Sequence, residues 1–452
     1  MAGALGDPDV AIKDLRRLSG GASRETWSFD AVAADGTPLP LILRRDPPAA
    51  PKGNMGMEAA LLSAAAGAGV PVPRLITASD EREVLGSSFM VVDRLEGETI
   101  PRRILRQPEL AGARAGLARQ CGEVLARLHS VPASSVPGLS EEDPVEQYRR
   151  TFAALGGGSA VYEIAFRWLE ENRPARSAEA RVVHGDFRNG NLIVGPDGIR
   201  AVLDWELSHA GDPMEDLGWL CAKSWRFGVD RPVGGFGTYD DLVAGYEAAG
   251  GQKVDREVLR WWEVFGNLRW GVICMMQASA HTSGMIRSVE LAAIGRRVCE
   301  VEWDLLELLA GPGRGLAEDG SGGAGLEGAG VPGSAYLHGS PDAAGLLEAV
   351  REFLEKDVME ATDGRVRFHT RVAVNVVAMV ERELALGPEQ SARHAAGLAS
   401  LGMTDEKELA GAVRSGALGL DDPRLWALVS SSVRDRLAVA NPRYLEPPEP
   451  PQ

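Results

Sequence analysis

The sequence is poor in cysteine, with four in 452 residues, and contains no C-x-x-C pair. Because these cysteines lie far apart along the chain, their spacing indicates neither a zinc site nor a disulfide framework. No apolar run approaches the length of a membrane span, and the first residues lack the basic and apolar regions of a secretory signal. We therefore predict reduced thiols in a cytoplasmic protein without a membrane partner.

Positive charge is also in short supply, since 48 Lys and Arg residues face 64 Asp and Glu residues, which gives a formal net charge of -16. This balance disfavours nucleic acid or an anionic membrane surface as a partner. The remaining composition, with 44% hydrophobic and 25% charged residues, is typical of globular proteins, and the length predicts two or three domains.

One stretch, residues 181 to 216, has the composition of an active site. Three short apolar runs alternate there with turns, a pattern that predicts strands holding a polar loop. The loop carries Asp186 and Asn191, and Asp204 follows the third run. This order suits phosphoryl transfer, in which one carboxylate accepts the proton of an attacking hydroxyl and further oxygen groups bind magnesium. The alternative is that these are ordinary turn-forming residues in a sheet.

The segments that carry this pattern resemble the signature of the aminoglycoside phosphotransferase family, whose fold is similar to that of protein kinases. They are His184-Gly185-Asp186, Asn191, Leu203-Asp204-Trp205-Glu206, Gly211-Asp212-Pro213 and Asp216. The resemblance covers residues 12 to 309 and implies an α+β, two-lobed kinase-like fold. It also implies ATP or GTP as phosphate donor, Mg²⁺ bound by Asn191 and Asp204, and Asp186 as catalytic base. The acceptor would be a hydroxyl group of a small molecule.

The N-terminal part fits the same resemblance with one departure. Gly20, Gly21 and Ser23 form a turn whose backbone N–H groups can approach phosphate, although a plain hairpin is the alternative. In kinases a later strand, which corresponds to residues 40–45 here, carries a lysine that binds the phosphates. Arg44 occupies the position of that lysine. Arginine is a planar fork rather than a point charge, but it can still bind phosphate oxygens bidentately.

The resemblance assigns further residues to the nucleotide and to the acceptor. Glu58 would form an ion pair with Arg44, unless it is a solvated residue at a helix start. Backbone groups of Asp93 and Leu95 would bind the adenine. Candidates for the acceptor wall are Trp225, Arg226 and Trp270, and core packing is the alternative for the two tryptophans. Glu206 is a further candidate, with the metal as the alternative partner of its side chain. We assign His129, His184, Asp212 and Asp216 to structural roles.

After residue 309 the composition changes. Residues 310 to 335 are rich in glycine and predict a flexible linker. Amphipathic helices are predicted on either side of Gly364, and further helices over residues 388–400, 405–416 and 423–439, which together form an all-α bundle. This bundle is similar to a small uncharacterised helical domain found beside such phosphotransferases. Substrate presentation, dimerisation through these helices and regulation remain open as its role, and the oligomeric state is undetermined.

These observations divide the chain into an N-lobe (residues 1–97), a C-lobe with the catalytic loop (98–309), a linker (310–335) and a C-terminal helical domain with a disordered tail (336–452). We predict a small-molecule kinase. The segments LRRDPP, HGDFRNGNL and LDWELSHAGDP also resemble the kinase-like portion of some acyl-CoA dehydrogenases. This resemblance implies a hydroxyacyl thioester or another hydroxylated metabolite as acceptor. The alternatives are an aminoglycoside-type antibiotic phosphotransferase and a nucleotide-binding pseudokinase with a regulatory role.

Overall fold

The computed structural model describes residues 1–18, 24–47, 54–175, 179–310 and 341–446. Its strands are β1 (Ala11–Arg17), β2 (Glu25–Val32), β3 (Pro38–Arg45), β4 (Leu75–Ser79), β5 (Phe89–Asp93), β6 (Arg181–Val183), β7 (Leu192–Gly195), β8 (Gly198–Val202) and β9 (His209–Gly211). Its α-helices are α1 (Ala2–Leu5), α2 (Met55–Gly67), α3 (Pro101–Arg106), α4 (Ala111–Arg114), α5 (Leu117–Leu128), α6 (Pro144–Ala154), α7 (Ala160–Glu171), α8 (Met214–Cys221), α9 (Tyr239–Ala248), α10 (Arg256–Thr282), α11 (Val289–Gly295), α12 (Val298–Ala310), α13 (Ala343–Phe353), α14 (Met359–Ala361), α15 (Gly364–Ser400), α16 (Glu406–Ser415) and α17 (Pro423–Ala440). The α+β class predicted from the sequence is confirmed.

The chain forms two compact units. The first comprises mainly Met1–Asp143 and Pro174–Gly266, and the second comprises Pro144–Arg173 and Asn267–Pro447. The second unit therefore joins α6, α7, α11 and α12 with the C-terminal helices. The domain boundaries predicted from the sequence stay a prediction, and the predicted linker lies outside the described residues from position 311 onward. No helix in the described ranges has the length and apolar content that a membrane span requires.

The first unit begins with an antiparallel sheet in the strand order β1-β2-β3-β5-β4. Alternate residues of its strands form one apolar face, with Phe29 and Ala31 in β2 packed with Leu41 in β3. Arg44 follows Leu41 by three positions and therefore lies on the opposite face of β3. It pairs in register with Thr26 and Met90. The sheet thus presents Arg44 away from its apolar core.

Two small sheets in the same unit hold the predicted catalytic loop. Strand β6 pairs with β9, and β7 forms a hairpin with β8. The predicted arrangement of strand, loop, hairpin and strand is therefore confirmed. Since both ends of the loop are hydrogen-bonded in sheets, its side chains have fixed positions.

The second unit buries carboxylates on α7 and α12 against the C-terminal helices. Glu163 accepts from Arg414 Nε at 2.8 Å, and Asp304 accepts from the Tyr444 hydroxyl at 2.9 and 3.0 Å. Glu300 accepts from Asn441 Nδ2 at 3.1 Å. All three of these acidic residues are less than 7% exposed. The C-terminal helices therefore supply polar partners that buried acids require.

One predicted helix boundary in this unit is wrong. The sequence predicts a new helix at Pro388, but α15 runs without interruption from Gly364 to Ser400, with Pro388 inside it. Proline removes one backbone hydrogen bond, and its ring crowds the carbonyl four residues earlier and the Cβ of the preceding residue. Here the preceding residue is Gly387, which has no Cβ, so one part of this penalty is absent.

Candidate active site

The loop between β6 and β7 brings the predicted base and the predicted amide ligand into contact. Asn191 Nδ2 donates to Asp186 Oδ2 at 2.6 Å and to the Asp186 carbonyl at 2.9 Å. The loop is closed by the Asn191 N–H, which donates to the Arg188 carbonyl at 3.0 Å. The two residues that their spacing singled out therefore form one unit.

Two residues that the sequence analysis missed hold the other carboxylate oxygen of Asp186. Arg188 Nε donates to Oδ1 at 3.0 Å, and Trp219 Nε1 donates to the same oxygen at 2.9 Å. Arg188 lies two positions after the base, so its proximity was readable from the sequence. Trp219 is 33 residues away on α8, so no local pattern in the sequence links it to Asp186. With Asn191, three donors fix the Asp186 carboxylate.

The buried carboxylate of Asp216 accepts hydrogen bonds from backbone N–H groups at the start of the catalytic loop. The N–H groups of His184 and Gly185 donate to its two oxygens at 2.8 and 2.9 Å. His129 Nε2 lies 3.0 Å from Asp216 Oδ2. Burial alone would raise the pKa of Asp216, but the hydrogen bonds with His129 and His184 hold this pKa below its ordinary value. These contacts agree with the structural roles predicted for His129 and Asp216.

The His184 ring is held in one tautomer. Its Nδ1 accepts from the Asp186 N–H at 3.1 Å, so the proton is on Nε2, which lies 3.0 Å from the Leu203 carbonyl. Burial lowers the pKa of His184, which keeps the ring neutral. Gly185 has φ +77°, and a Cβ there would lie 2.3 Å from the Leu207 carbonyl oxygen. The loop thus requires glycine between His184 and Asp186.

The β7–β8 hairpin returns the chain to the loop and places Asp204 next to it. The Leu203 N–H donates to the Asn191 carbonyl at 2.8 Å. Asp204 has φ +69°, a left-handed conformation that is uncommon outside glycine. Its Oδ1 accepts from Arg44 Nη2 at 2.7 Å. The predicted second metal ligand therefore lies beside the predicted phosphate-binding cation.

Glu58 lies in the same cleft and is shared by two arginines. Its Oε2 is 3.5 Å from Arg44 Nη1, as the predicted ion pair requires. Its Oε1 accepts a short hydrogen bond from Arg24, which the sequence analysis missed. Arg24 Nε also donates to Asp46 Oδ1 at 3.1 Å. Arg24 directly follows the glycine turn, but its distance from Glu58 along the chain gave no signal of this contact.

A family model described as "Phosphotransferase enzyme family" matches residues 14–262. The chain belongs to this family. Mouse acyl-CoA dehydrogenase family member 10 is 30% identical to this phosphotransferase over 241 residues, which are 49% of the chain and 21% of that protein. Chicken acyl-CoA dehydrogenase family member 11 is 34% identical over 167 residues, 34% of the chain and 21% of that protein. The match thus spans about a fifth of these relatives' length.

A candidate aminoglycoside phosphotransferase of Ralstonia eutropha has a similar structure, with a TM-score of 0.51 and 22% identity. The alignment covers 67% of this chain and 93% of that chain. The kinase-like fold predicted for the phosphotransferase is confirmed by this likeness. Residues 360–444 match a domain of unknown function, DUF6285. The predicted resemblance of the C-terminal helices to an uncharacterised domain is therefore also confirmed.

The remaining residues predicted to bind nucleotide lie partly within the described ranges. Asp93 ends β5, its carboxylate is bound by Arg74 at 3.0 and 3.2 Å, and its N–H donates to the Arg74 carbonyl at 3.0 Å. The predicted adenine contact at Asp93 would therefore use its carbonyl. No described residue accepts a hydrogen bond from the Leu95 N–H. The glycine turn with Gly20, Gly21 and Ser23 lies outside the described residues. These assignments stay predictions.

The predicted acceptor-wall residues have different surroundings. Trp225 is 5% exposed, and the Arg188 guanidinium lies 4.5 Å from its ring centre. Arg226 Nη2 donates to Glu263 Oε1 at 2.7 Å and to the Cys221 carbonyl at 2.9 Å. Trp270 belongs to the second compact unit. The acceptor roles of Trp225, Arg226 and Trp270 stay predictions.

The donor set at Asn191 and Asp204 fits a magnesium ion. Within the described residues, no group of three or more His, Cys, Asp or Glu side chains could hold a metal without further ligands. Magnesium in nucleotide sites typically takes one or two protein oxygen ligands and completes its shell with phosphates and water. The amide of Asn191 and the one-third exposed carboxylate of Asp204 supply such ligands. The site is therefore suited to a metal that arrives with nucleotide.

Proposed function

We propose that this phosphotransferase transfers the terminal phosphoryl group of ATP or GTP to a hydroxyl group of a small molecule. The observation that carries the proposal is the Asp186 carboxylate, which Asn191, Arg188 and Trp219 hold in one orientation. A carboxylate fixed in this way can orient an attacking hydroxyl and accept its proton. Asp186 is accordingly the catalytic base.

The surrounding residues would bind the nucleotide. Asn191 and Asp204 would hold Mg²⁺, which when bound neutralises charge on the phosphates. Arg44 lies beside Asp204, the proposed Mg²⁺ ligand, and is therefore near the place where the phosphates would bind. Its guanidinium would bind their oxygens bidentately. The backbone of the turn at Gly20 and Gly21, with Ser23, would cover the phosphates, and the backbone at Asp93 and Leu95 would bind the base.

For the acceptor we propose a neutral or anionic hydroxylated metabolite, with a hydroxyacyl thioester as the leading class. The guanidinium of Arg188 lies against the base itself, where it would repel the ammonium groups of an aminoglycoside. The curated relatives, whose names place them in the acyl-CoA dehydrogenase family, support an acyl acceptor.

A nucleotide-consumption screen tests the proposal. It would cover hydroxyacyl-CoAs, sugars, amino alcohols and aminoglycosides, with saturable turnover expected on a hydroxyacyl-CoA. Asp186→Asn should lower kcat by about 10² to 10⁴-fold and still bind Mg-nucleotide. Asp197→Asn is the matched control, since this carboxylate is 70% exposed in the β7–β8 turn.

Three results would each change the proposal. Full activity of Asp186→Asn would remove Asp186 as the base. Turnover on kanamycin-like compounds alone would favour the antibiotic phosphotransferase. Nucleotide binding without turnover on any acceptor class would favour a regulatory pseudokinase, consistent with an Arg44 that stays bonded to Asp204.

A further inference from the structure

Arg24 lies where three acidic side chains of the nucleotide cleft converge. Its guanidinium contacts Glu58 on α2 and Asp46 just after β3, and its Nη2 is 3.9 Å from Glu206 Oε2. Its side chain is only 11% exposed. A buried guanidinium with several carboxylate contacts has a fixed position. Arg24 thus ties together three separate segments around the cleft.

The two arginines do not use Glu58 equally. Arg24 donates a hydrogen bond to Oε1, whereas Arg44 approaches Oε2 only to 3.5 Å. That buried oxygen accepts no hydrogen bond from any described residue. Arg44 instead donates to Asp204 at 2.7 Å. The principal cation on Glu58 is therefore Arg24.

We propose that Arg24 is a positioning residue, which occupies Glu58 so that Arg44 remains directed toward Asp204 and the nucleotide phosphates. The inference rests on the proposed nucleotide site. If Arg44 were the only cation near Glu58, the Glu58 carboxylate would draw Arg44 into a direct ion pair. Here Arg24 already donates to Oε1 of Glu58, so Arg44 can exchange between a carboxylate and a phosphate without leaving Glu58 unpaired.

Charge in the cleft leads to the same conclusion. Without Arg24, the carboxylates of Asp46, Glu58 and Glu206 would lose a common partner, and Glu58 would attract Arg44 away from the phosphates. The added negative charge would also oppose a nucleotide that carries several negative charges itself. Lysine could replace Arg24 only in part, because a single ammonium cannot form the fork that reaches Glu58 and Asp46 together.

Steady-state kinetics and thermal-shift titration with Mg-ATP test this role. Arg24→Met should raise the KM for nucleotide by about 10-fold or more, with a smaller change in kcat. Arg24→Lys should recover part of that loss. Arg45→Met is the control, because Arg45 ends β3 and, like Arg24, pairs with a glutamate, Glu25, at 2.7 Å. It should change KM by less than about twofold.

A double variant separates action through Glu58 from general destabilisation. If Arg24 acts through Glu58, adding Arg24→Met to Glu58→Gln should raise KM little beyond Glu58→Gln alone. Fully additive losses, a wild-type KM in folded Arg24→Met, or equal losses in Arg45→Met would each overturn the inference. If Arg24→Met does not fold, Arg24→Lys replaces it in both tests. An unchanged KM in Arg24→Lys, or additive losses when it is combined with Glu58→Gln, would then overturn the inference. Thermal shifts report nucleotide affinity even if no acceptor is phosphorylated, so failure of the proposed reaction is recognised separately.

Discussion

Acidic side chains cluster in both compact units, but the two units pair them differently. In the cleft of the first unit, two guanidinium groups among the described residues are shared by four carboxylates, namely those of Asp46, Glu58, Asp204 and Glu206. In the second unit, Glu163, Glu300 and Asp304 each have a partner from the C-terminal helices. The carboxylates of the first unit therefore outnumber the guanidinium groups they share, whereas each of these acids in the second unit has its own hydrogen-bond donor.

In the proposed site the clustered carboxylates would serve a ligand, whereas the acids of the second unit serve the fold. Burial raises the pKa of Glu206 and the neighbouring Asp204 raises it further, because both disfavour a charged carboxylate. A divalent cation bound beside Asp204 would offset part of this negative charge. The matched acids of the second unit have no such need, because protein donors already compensate their burial.

The largest effect should come from a charge removed in the cleft. Asp204→Asn keeps a residue that tolerates φ +69° but removes the carboxylate. We expect Mg-dependent nucleotide binding to be lost and turnover to fall by about 100-fold or more, with the melting temperature without ligand retained. Activity assays and thermal shifts with and without Mg-ATP measure both.

Asp304→Asn is the matched control in the second unit. This residue is 1% exposed and accepts from Tyr444, so its substitution should lower the melting temperature and leave nucleotide affinity intact. If the two variants lost stability and nucleotide binding in the same proportion, the distinction between the two regions would be wrong.

The site residues that the sequence predicted are close together along the chain. Asp186 and Asn191 share one loop, and Asp204 is joined to that loop by a short hairpin, so local spacing was enough to find them. The residues that were missed act over longer separations. Arg24 reaches Glu58 across 34 residues, and Trp219 reaches Asp186 across 33. Such contacts depend on how separate elements pack, which no local pattern encodes.

The second unit shows the same limit. Alternating acids in α12, at positions 300, 302 and 304, are visible in the sequence, but Asn441 and Tyr444, which donate to Glu300 and Asp304, follow about 140 residues later. Nothing local to α12 indicates that these acids are buried. The helix boundary at Pro388 was wrong for the opposite reason, since a local rule for proline was applied without the neighbouring Gly387.

A smaller effect is expected where one buried acid of the second unit loses its partner. Arg414→Met should lower the free energy of unfolding by about 2 kcal/mol, because Glu163 would remain buried with only Arg149 at 3.3 Å. Arg424→Met should lower the free energy of unfolding much less, because its side chain is exposed and its ion pair with Asp422 is screened by solvent. Denaturant unfolding measures both. Equal stability of the two variants would show that the pairing with Glu163 is not needed for the fold.

The smallest predicted effect concerns His184 in the catalytic loop, which is buried like the acids of the second unit but belongs to the proposed site. Folding lowers the pKa of His184, so at mildly acidic pH the unfolded chain binds a proton that the folded chain does not. The free energy of unfolding should therefore decrease as the pH falls below the unfolded value of about 6.5, by at most about 1.4 kcal/mol per pH unit.

This slope distinguishes a buried neutral ring from a charged one. In His184→Gln the dependence of the free energy of unfolding on pH between 7.5 and 5.5 should be shallower than in the wild type, whatever the overall loss of stability. His369→Gln is the control, because this histidine contacts Arg365 at an exposed position. The comparison uses slopes from denaturant unfolding at several pH values. An unchanged slope in His184→Gln would mean that the fold does not keep the ring neutral.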